Sequence, residues 1–227
     1  KEWQGKRFNS PNDLAIDNAG KNIYFTDPRY VGKEKRELQF EGIFFVRPDG
    51  STELATNDVQ KPNGIIFSND GKKVFVADHE ITNNGTRQLL SFNVTKEGKL
   101  ENKQVLHDFG SSRGIDGMAL GPKGNIFATA GSGKEAGIYV FEPGGNLLHV
   151  ISLPGDPTNC TFGHGKNSLT LYVTAQSPKG QKKQSYALYR LRLDEPDPLG
   201  YSMAALSFGG VSVFLMILPF FASPKRT

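Results

Sequence analysis

The chain has 227 residues, 37% hydrophobic and 22% charged, with a formal net charge of +4 and a pI near 9.0. That balance excludes an acidic disordered chain and fits a folded soluble body, punctuated by 26 glycines and 13 prolines that favour short strands over long helices. One cysteine, Cys160, rules out an intrachain disulfide or a CxxC metal knuckle, and its apolar setting in TNCTFG suits an inert buried thiol.

In chain order, Lys1 to Asn9 reads as a polar lead-in, with neither an initiating Met nor a signal-peptide pattern. This abrupt opening reads as a fragment or a processed form. Leu14 and Ile16, then Ile23 and Phe25, alternate with polar residues around Asn18-Ala19-Gly20-Lys21, which predicts a hairpin. Arg29 to Gln39 is a charged loop. Gly42 to Arg47 and Ser51 to Thr56 follow as strands around the turn Pro48-Asp49-Gly50, completing a four-stranded antiparallel unit.

The pattern restarts three times. The second unit uses Ile65 to Phe67, Val74 to Val76, Leu89 to Val94 and Val105 to Phe109. The third uses Met118 to Leu120, Ile126 to Thr129, Gly137 to Phe141 and Leu147 to Leu153. The fourth uses Cys160 to Phe162, Thr170 to Thr174 and Ala187 to Leu193. Each unit opens on one phrase: SPNDLAIDNAGKNIYFTDP, KPNGIIFSNDGKKVFVADH, IDGMALGPKGNIFATAG and PTNCTFGHGKNSLTLYVTAQ. Its polar residue, Asn12, Asn63, Asp116 and Asn159 in turn, recurs at intervals of 51, 53 and 43 residues. Blade-length self-similarity with about four strands per repeat predicts an all-β fold, a β-propeller over residues 1–195. A β-sandwich explains the strands but not the recurrence.

Residues 196–227 read as a separate acidic, Pro-containing linker and apolar tail. Tyr201 to Ala222 carries no charge over 22 residues, with Asp194, Glu195 and Asp197 before it and Lys225 and Arg226 after it. That suits a transmembrane helix with the β body extracytoplasmic, although Gly209-Gly210 and Pro219 weaken it. The alternative is a soluble chain whose tail is a last strand pair or is unrelated to the fold. The lysine and arginine clusters at 33–36 and 179–183 lack an aromatic stacking platform and read as solvated loops, so no nucleic-acid partner is expected.

In a propeller the first strand of each blade lines the central channel. Asn12, Asn63, Asp116 and Asn159 are therefore expected to converge at one end of it. One carboxylate with several amide oxygens makes a hard site suited to Ca²⁺, Mg²⁺ or Mn²⁺. Asp116 is a candidate ligand or general base. Set against this, PND, PNG and IDG are also ordinary turn sequences. Asp27, Asp78 and His79 close the first two phrases, at the far end of the inner strand pair, and read as loop caps, with His79 kept as a weaker site candidate. His107, His149 and His164 show no ligand spacing. Gly131-Ser132-Gly133-Lys134 has the wrong spacing for a phosphate loop.

Taken together, the four phrases resemble consecutive inner-blade motifs of the SMP-30/gluconolactonase family over about residues 5 to 193. The resemblance implies a six-bladed propeller, of which about four blades are present. It also implies one channel divalent cation, most often Ca²⁺ with Zn²⁺, Mn²⁺ or Mg²⁺ as alternatives, and hydrolysis of sugar lactones. By position in the motifs, Asn63 and Asp116 match metal ligands. Asp116 also matches the catalytic base or proton shuttle, and Asn12 the asparagine facing metal-bound water or substrate. Asn159 matches no ligand. The family's first-blade glutamate has no counterpart in these motifs, and Ser10 stands where animal members carry a substrate-binding arginine. A non-catalytic binding propeller, or an inactive fragment of such an enzyme, is the competing reading.

Overall fold

The structure is a computed structural model that describes residues 2–82, 84–177 and 185–193. Among these, the regular elements are strands and two single-turn 3₁₀ segments. The lead-in is not merely polar loop. β1 (Glu2–Trp3) and β2 (Lys6–Arg7) pair across Gln4 and Gly5, both left-handed at φ 50° and 70°. This hairpin sets Trp3 edge-on against Phe44 at 5.5 Å.

Four sheets follow, each a blade. Blade 1 is β3 (Leu14–Ile16), β4 (Ile23–Asp27), β5 (Gly42–Val46) and β6 (Thr52–Thr56). Blade 2 is β7 (Pro62–Phe67), β8 (Lys73–His79), β9 (Arg87–Val94) and β10 (Leu100–Asp108). Blade 3 is β11 (Met118–Leu120), β12 (Ile126–Ala130), β13 (Gly137–Phe141) and β14 (Leu147–Ser152). Blade 4 shows β15 (Asp156–Phe162), β16 (Thr170–Gln176) and β17 (Tyr186–Arg192). Every pairing is antiparallel between chain neighbours. The predicted strands all form, most with ends shifted by a few residues. The linker, the apolar tail and the lysine cluster after Pro178 lie outside the described residues. Among the described residues no helix is long and apolar enough to cross a membrane.

The first turn of each blade is closed alike in three of the four. Gly20, Gly71 and Gly124 adopt φ of 66°, 69° and 84° and donate to the carbonyls of Asp17, Ser68 and Gly121. In the fourth a 3₁₀ turn, Gly165–Asn167, takes that place.

The core lies between blades rather than within them. In β8, Val74 and Val76 face blade 1 and pack with Tyr24, Ile43 and Phe45, while Phe75 and Ala77 face blade 3 and pack with Met118, Ile126 and Phe141. Strand side chains alternate between faces, so a continuous apolar run is what a strand buried on both sides requires. Blades 3 and 4 meet through Phe127, Ile138 and Val140 against Leu171, Val173 and Tyr189. The innermost strands β3, β7, β11 and β15 therefore stand side by side in blade order. Cys160 is buried there, its thiol pushed up to about 12 by burial, as an inert core residue requires.

Candidate functional site

Asn12, Asn63 and Asp116 each sit at the entry to an innermost strand, while Asn159 lies inside β15 and His79 ends β8. Asn12 N donates to Thr26 O (2.9 Å) and Asp116 N to Thr129 O (2.9 Å), which extends the ladders of blades 1 and 3 past the formal ends of β3 and β11. In blade 2, β7 begins at Pro62, and its register with β8 slips between Pro62 and Ile65. Asn63 lies in that bulge, a device that re-aims side chains near functional sites. A matching slip lies between Pro157 and Asn159 in blade 4.

The glycines after Asn63 and Asp116 are not turn residues. A Cβ on Gly64 would collide with the Asp116 carbonyl oxygen, and one on Gly117 with the Asn159 side chain. Instead Gly64 N donates to Asp116 O and Gly117 N to Thr158 O, both at 3.0 Å, while Thr26 Oγ1 donates to Asn63 O at 2.9 Å. The glycines thus let neighbouring inner strands touch, which draws the polar positions together.

Asn12, Asn63 and Asp116 line one cavity of about 550 Å³ with His79, Arg113 and Tyr30. The described lining does not include Asn159. That residue is exposed, and its Oδ1 accepts from its own neighbour, Cys160 N, at 2.8 Å. Asn63 is buried and its amide hydrogen-bonds the Asp116 carboxylate. Arg113 Nη2 donates to Asp116 Oδ2 at 2.8 Å, and Arg113 Nη1 is anchored on Pro157 O (2.9 Å) and Gly131 O (3.2 Å). Burial pushes the Asp116 carboxyl above the usual carboxylate range, with Arg113 and the Asn63 amide pulling against it. Asn12 is exposed, and its carboxamide makes no hydrogen bond among the described residues.

His79 is not at the far end of its hairpin from the site. β8 runs antiparallel to β7, with Pro62 opposite Asp78, so the end of the second strand returns to the mouth of the first. His79 is buried, and its Nδ1 lies 3.1 Å from Ile115 O. A carbonyl only accepts, so Nδ1 carries the proton and Nε2 keeps its lone pair. Burial, with the charges of Arg113 and Arg87, lowers this imidazole to about 4. Tyr30 fixes the same strand by donating to His79 O at 3.0 Å.

Asp27 and Asp78 do cap loops. Asp27 accepts from Asn9 N and Ser10 N, both at 2.8 Å, and Asp78 from Lys61 N at 2.6 Å. Arg113, Arg87, Tyr30 and Asp156 also line the cavity, and no sequence motif marks them. Arg113 and Asp156 precede Asp116 and Asn159 by three residues, a signal present in the repeat phase.

The donor set fits a divalent cation in kind: Asn63 and Asp116 offer a neutral amide and a carboxylate side by side, both hard oxygen ligands. They are a partial shell, and among the described residues no three His, Cys, Asp or Glu side chains cluster as a metal site.

Four consecutive blades with polar residues gathered at the mouths of their inner strands define a β-propeller with an axial cavity. Residues 1–177 match the family model of the SMP-30/Gluconolactonase/LRE-like region, and the chain belongs to that family. It is 33% identical over 187 residues to a gluconolactonase of Zymomonas mobilis, covering 76% of this chain and 50% of the relative. It is 26% identical over 180 residues to regucalcin of Gallus gallus, covering 76% and 56%. A solved gluconolactonase of Xanthomonas campestris superposes with a TM-score of 0.66 at 28% identity, over 77% of this chain and 56% of that one. The chain thus spans about half the length of the curated relatives it matches.

Proposed function

We propose that this chain carries part of the active site of a divalent-cation-dependent sugar lactone hydrolase. The observation that carries this reading is the convergence of Asn12, Asn63 and Asp116 on one cavity, in a chain of the gluconolactonase family. Asn63 and Asp116 are the residues that would hold the cation, Ca²⁺ by preference for oxygen donors. Bound there, it supplies Lewis-acid polarisation of a lactone carbonyl.

The chain's own residues supply the rest. Asp116, held by Arg113 and Asn63, keeps one orientation, and burial brings its carboxyl closer to the proton affinity a base needs. Asn12 is free to orient a sugar hydroxyl, since it has both a donor and an acceptor to offer. His79 Nε2 adds a neutral acceptor to the wall.

The test is hydrolysis of glucono-δ-lactone by the chain with Ca²⁺, Mn²⁺ or Zn²⁺ and after chelation. Asp116→Asn is expected to lower kcat by about 10²- to 10⁴-fold and to weaken Ca²⁺ binding measured by calorimetry. Turnover that is indifferent to chelation and to Asp116→Asn would overturn the proposal. Sugar binding without turnover would favour a non-catalytic propeller.

A further inference from the structure

Arg87 lines the same cavity and is a cation without an acidic partner among the described residues. It opens β9, where its side chain bends over the loop that follows β8. Nη1 donates to Gly110 O at 3.1 Å, and Nη2 to Ile81 O at 3.3 Å and Thr82 O at 3.2 Å. A guanidinium has five N–H donors, so these three bonds leave two. No carboxylate forms an ion pair with it among the described residues. Three carbonyls fix the group in place without neutralising it.

The other charged groups of the lining are already committed. Arg113 is paired with Asp116. Asp156 accepts from Ser132 Oγ at 2.7 Å and Gly133 N at 2.8 Å. The two arginines and two aspartates cancel in formal charge; Arg113 and Asp116 neutralise each other by contact, Asp156 is held by neutral donors alone, and Arg87 is the cation of the lining that no carboxylate contacts among the described residues. Its field reaches the cavity wall, since it is one of the charges that hold the His79 imidazole neutral. Gly114 brings it close: a Cβ there would press on Arg87 Cβ at 3.0 Å, so the glycine seats Arg87 against the segment bearing Arg113 and Asp116.

A cavity of about 550 Å³ lined by both Asp116 and Arg87 has room for a lactone ring with a substituent that reaches Arg87. We propose that Arg87 is an anion subsite, and that the preferred substrates are sugar lactones bearing a second acidic group remote from the lactone carbonyl. A carboxylate and a phosphate can each accept from the N–H groups that Arg87 has left, in charge-assisted hydrogen bonds. This inference rests on the lactonase reading for the word substrate, but not for the binding of the anion.

Calorimetry on the full chain separates the two. The probes are the product acids gluconate, with one carboxylate, glucarate, with two, and 6-phosphogluconate. At least one of the doubly acidic probes is expected to bind about tenfold or more tightly relative to gluconate, and which one does so identifies the group. Arg87→Gln is expected to cut that preference by about 10- to 100-fold, the range of one charge-assisted pair. Arg87→Lys keeps the charge but loses the carbonyl-anchored guanidinium, and is expected to retain part of the preference. It also reports on any loss of folding, which a thermal melt of each variant monitors. Equal affinity for all three acids, or a preference that Arg87→Gln leaves intact, would overturn the subsite. An Arg87-dependent preference without turnover of any lactone would instead overturn the lactonase reading alone.

Discussion

His79 is held neutral because burial and two nearby arginines outweigh the pull of Glu80 toward protonation. It is 7% exposed, its Nδ1–H is spent on Ile115 O, and Arg113 and Arg87 add positive charge nearby. The sign of its effect on stability follows from its imidazole being lowered from 6.5 to about 4. Between those values the unfolded chain binds a proton at this residue that the fold does not. Its contribution is therefore complete above pH 6.5 and is lost as the pH falls through 4. A displacement of this size corresponds to roughly 3 kcal/mol. Buried carboxyls such as Asp78 and Asp27, raised by desolvation, act in the opposite direction above their ordinary value. The comparison must hence be differential. The stability difference between wild type and His79→Gln, from urea unfolding at pH 7 and pH 4, is expected to move toward the variant by up to roughly 3 kcal/mol. A difference that does not change with pH would mean that His79 takes up a proton as readily in the fold as in the unfolded chain.

At the scale of elements, most of the blade pattern was legible because strand period and turn glycines are local signals. Leu14, Ile16, Ile23 and Phe25 alternate as the pairing of Leu14 with Phe25 and Ile16 with Ile23 requires. What the sequence hid is non-local. Gly64 and Gly117 look like turn glycines beside Asn and Asp, yet their reason lies in another blade. The return of β8 to the mouth of β7 likewise puts His79 in the cavity. Arg87 gives no motif at all, because it reaches the cavity only through folding. The distinction between two kinds of glycine is measurable. Gly64→Ala forces a methyl into the Asp116 backbone and is expected to cost about 1–3 kcal/mol or more. Gly144→Ala, in the turn Pro143-Gly144-Gly145 with nothing within 4 Å of the new methyl, is expected to be near neutral or slightly stabilising. Equal thermal shifts in the two variants would contradict the close-approach role.

For the whole molecule, the interblade cores set a gradient of stability along the arc. Blades 2 and 3 each contribute to two of the three hydrophobic clusters, while blade 1 contributes to one. Leu14, Ile16 and Ile23, on the face of blade 1 away from blade 2, are 60%, 55% and 41% exposed. In a repeat architecture each unit is stabilised by its own fold and by its neighbours, so a unit flanked on both sides opens with more of the molecule. β8 and β12, buried along almost their full length, lie at the centre of that arrangement. Native-state hydrogen exchange of the chain is therefore expected to show the slowest amides in β8 and β12, with β3 and the blade 1 end of the arc exchanging at lower free energy. The cavity straddles this gradient, since Asn12 comes from blade 1 and Asn63 and Asp116 from blades 2 and 3. Opening of blade 1 should thus release Asn12 while leaving the Asn63–Asp116 pair assembled. A single common opening energy across all four blades would show instead that the arc unfolds as one unit, and that the site is kept or lost whole.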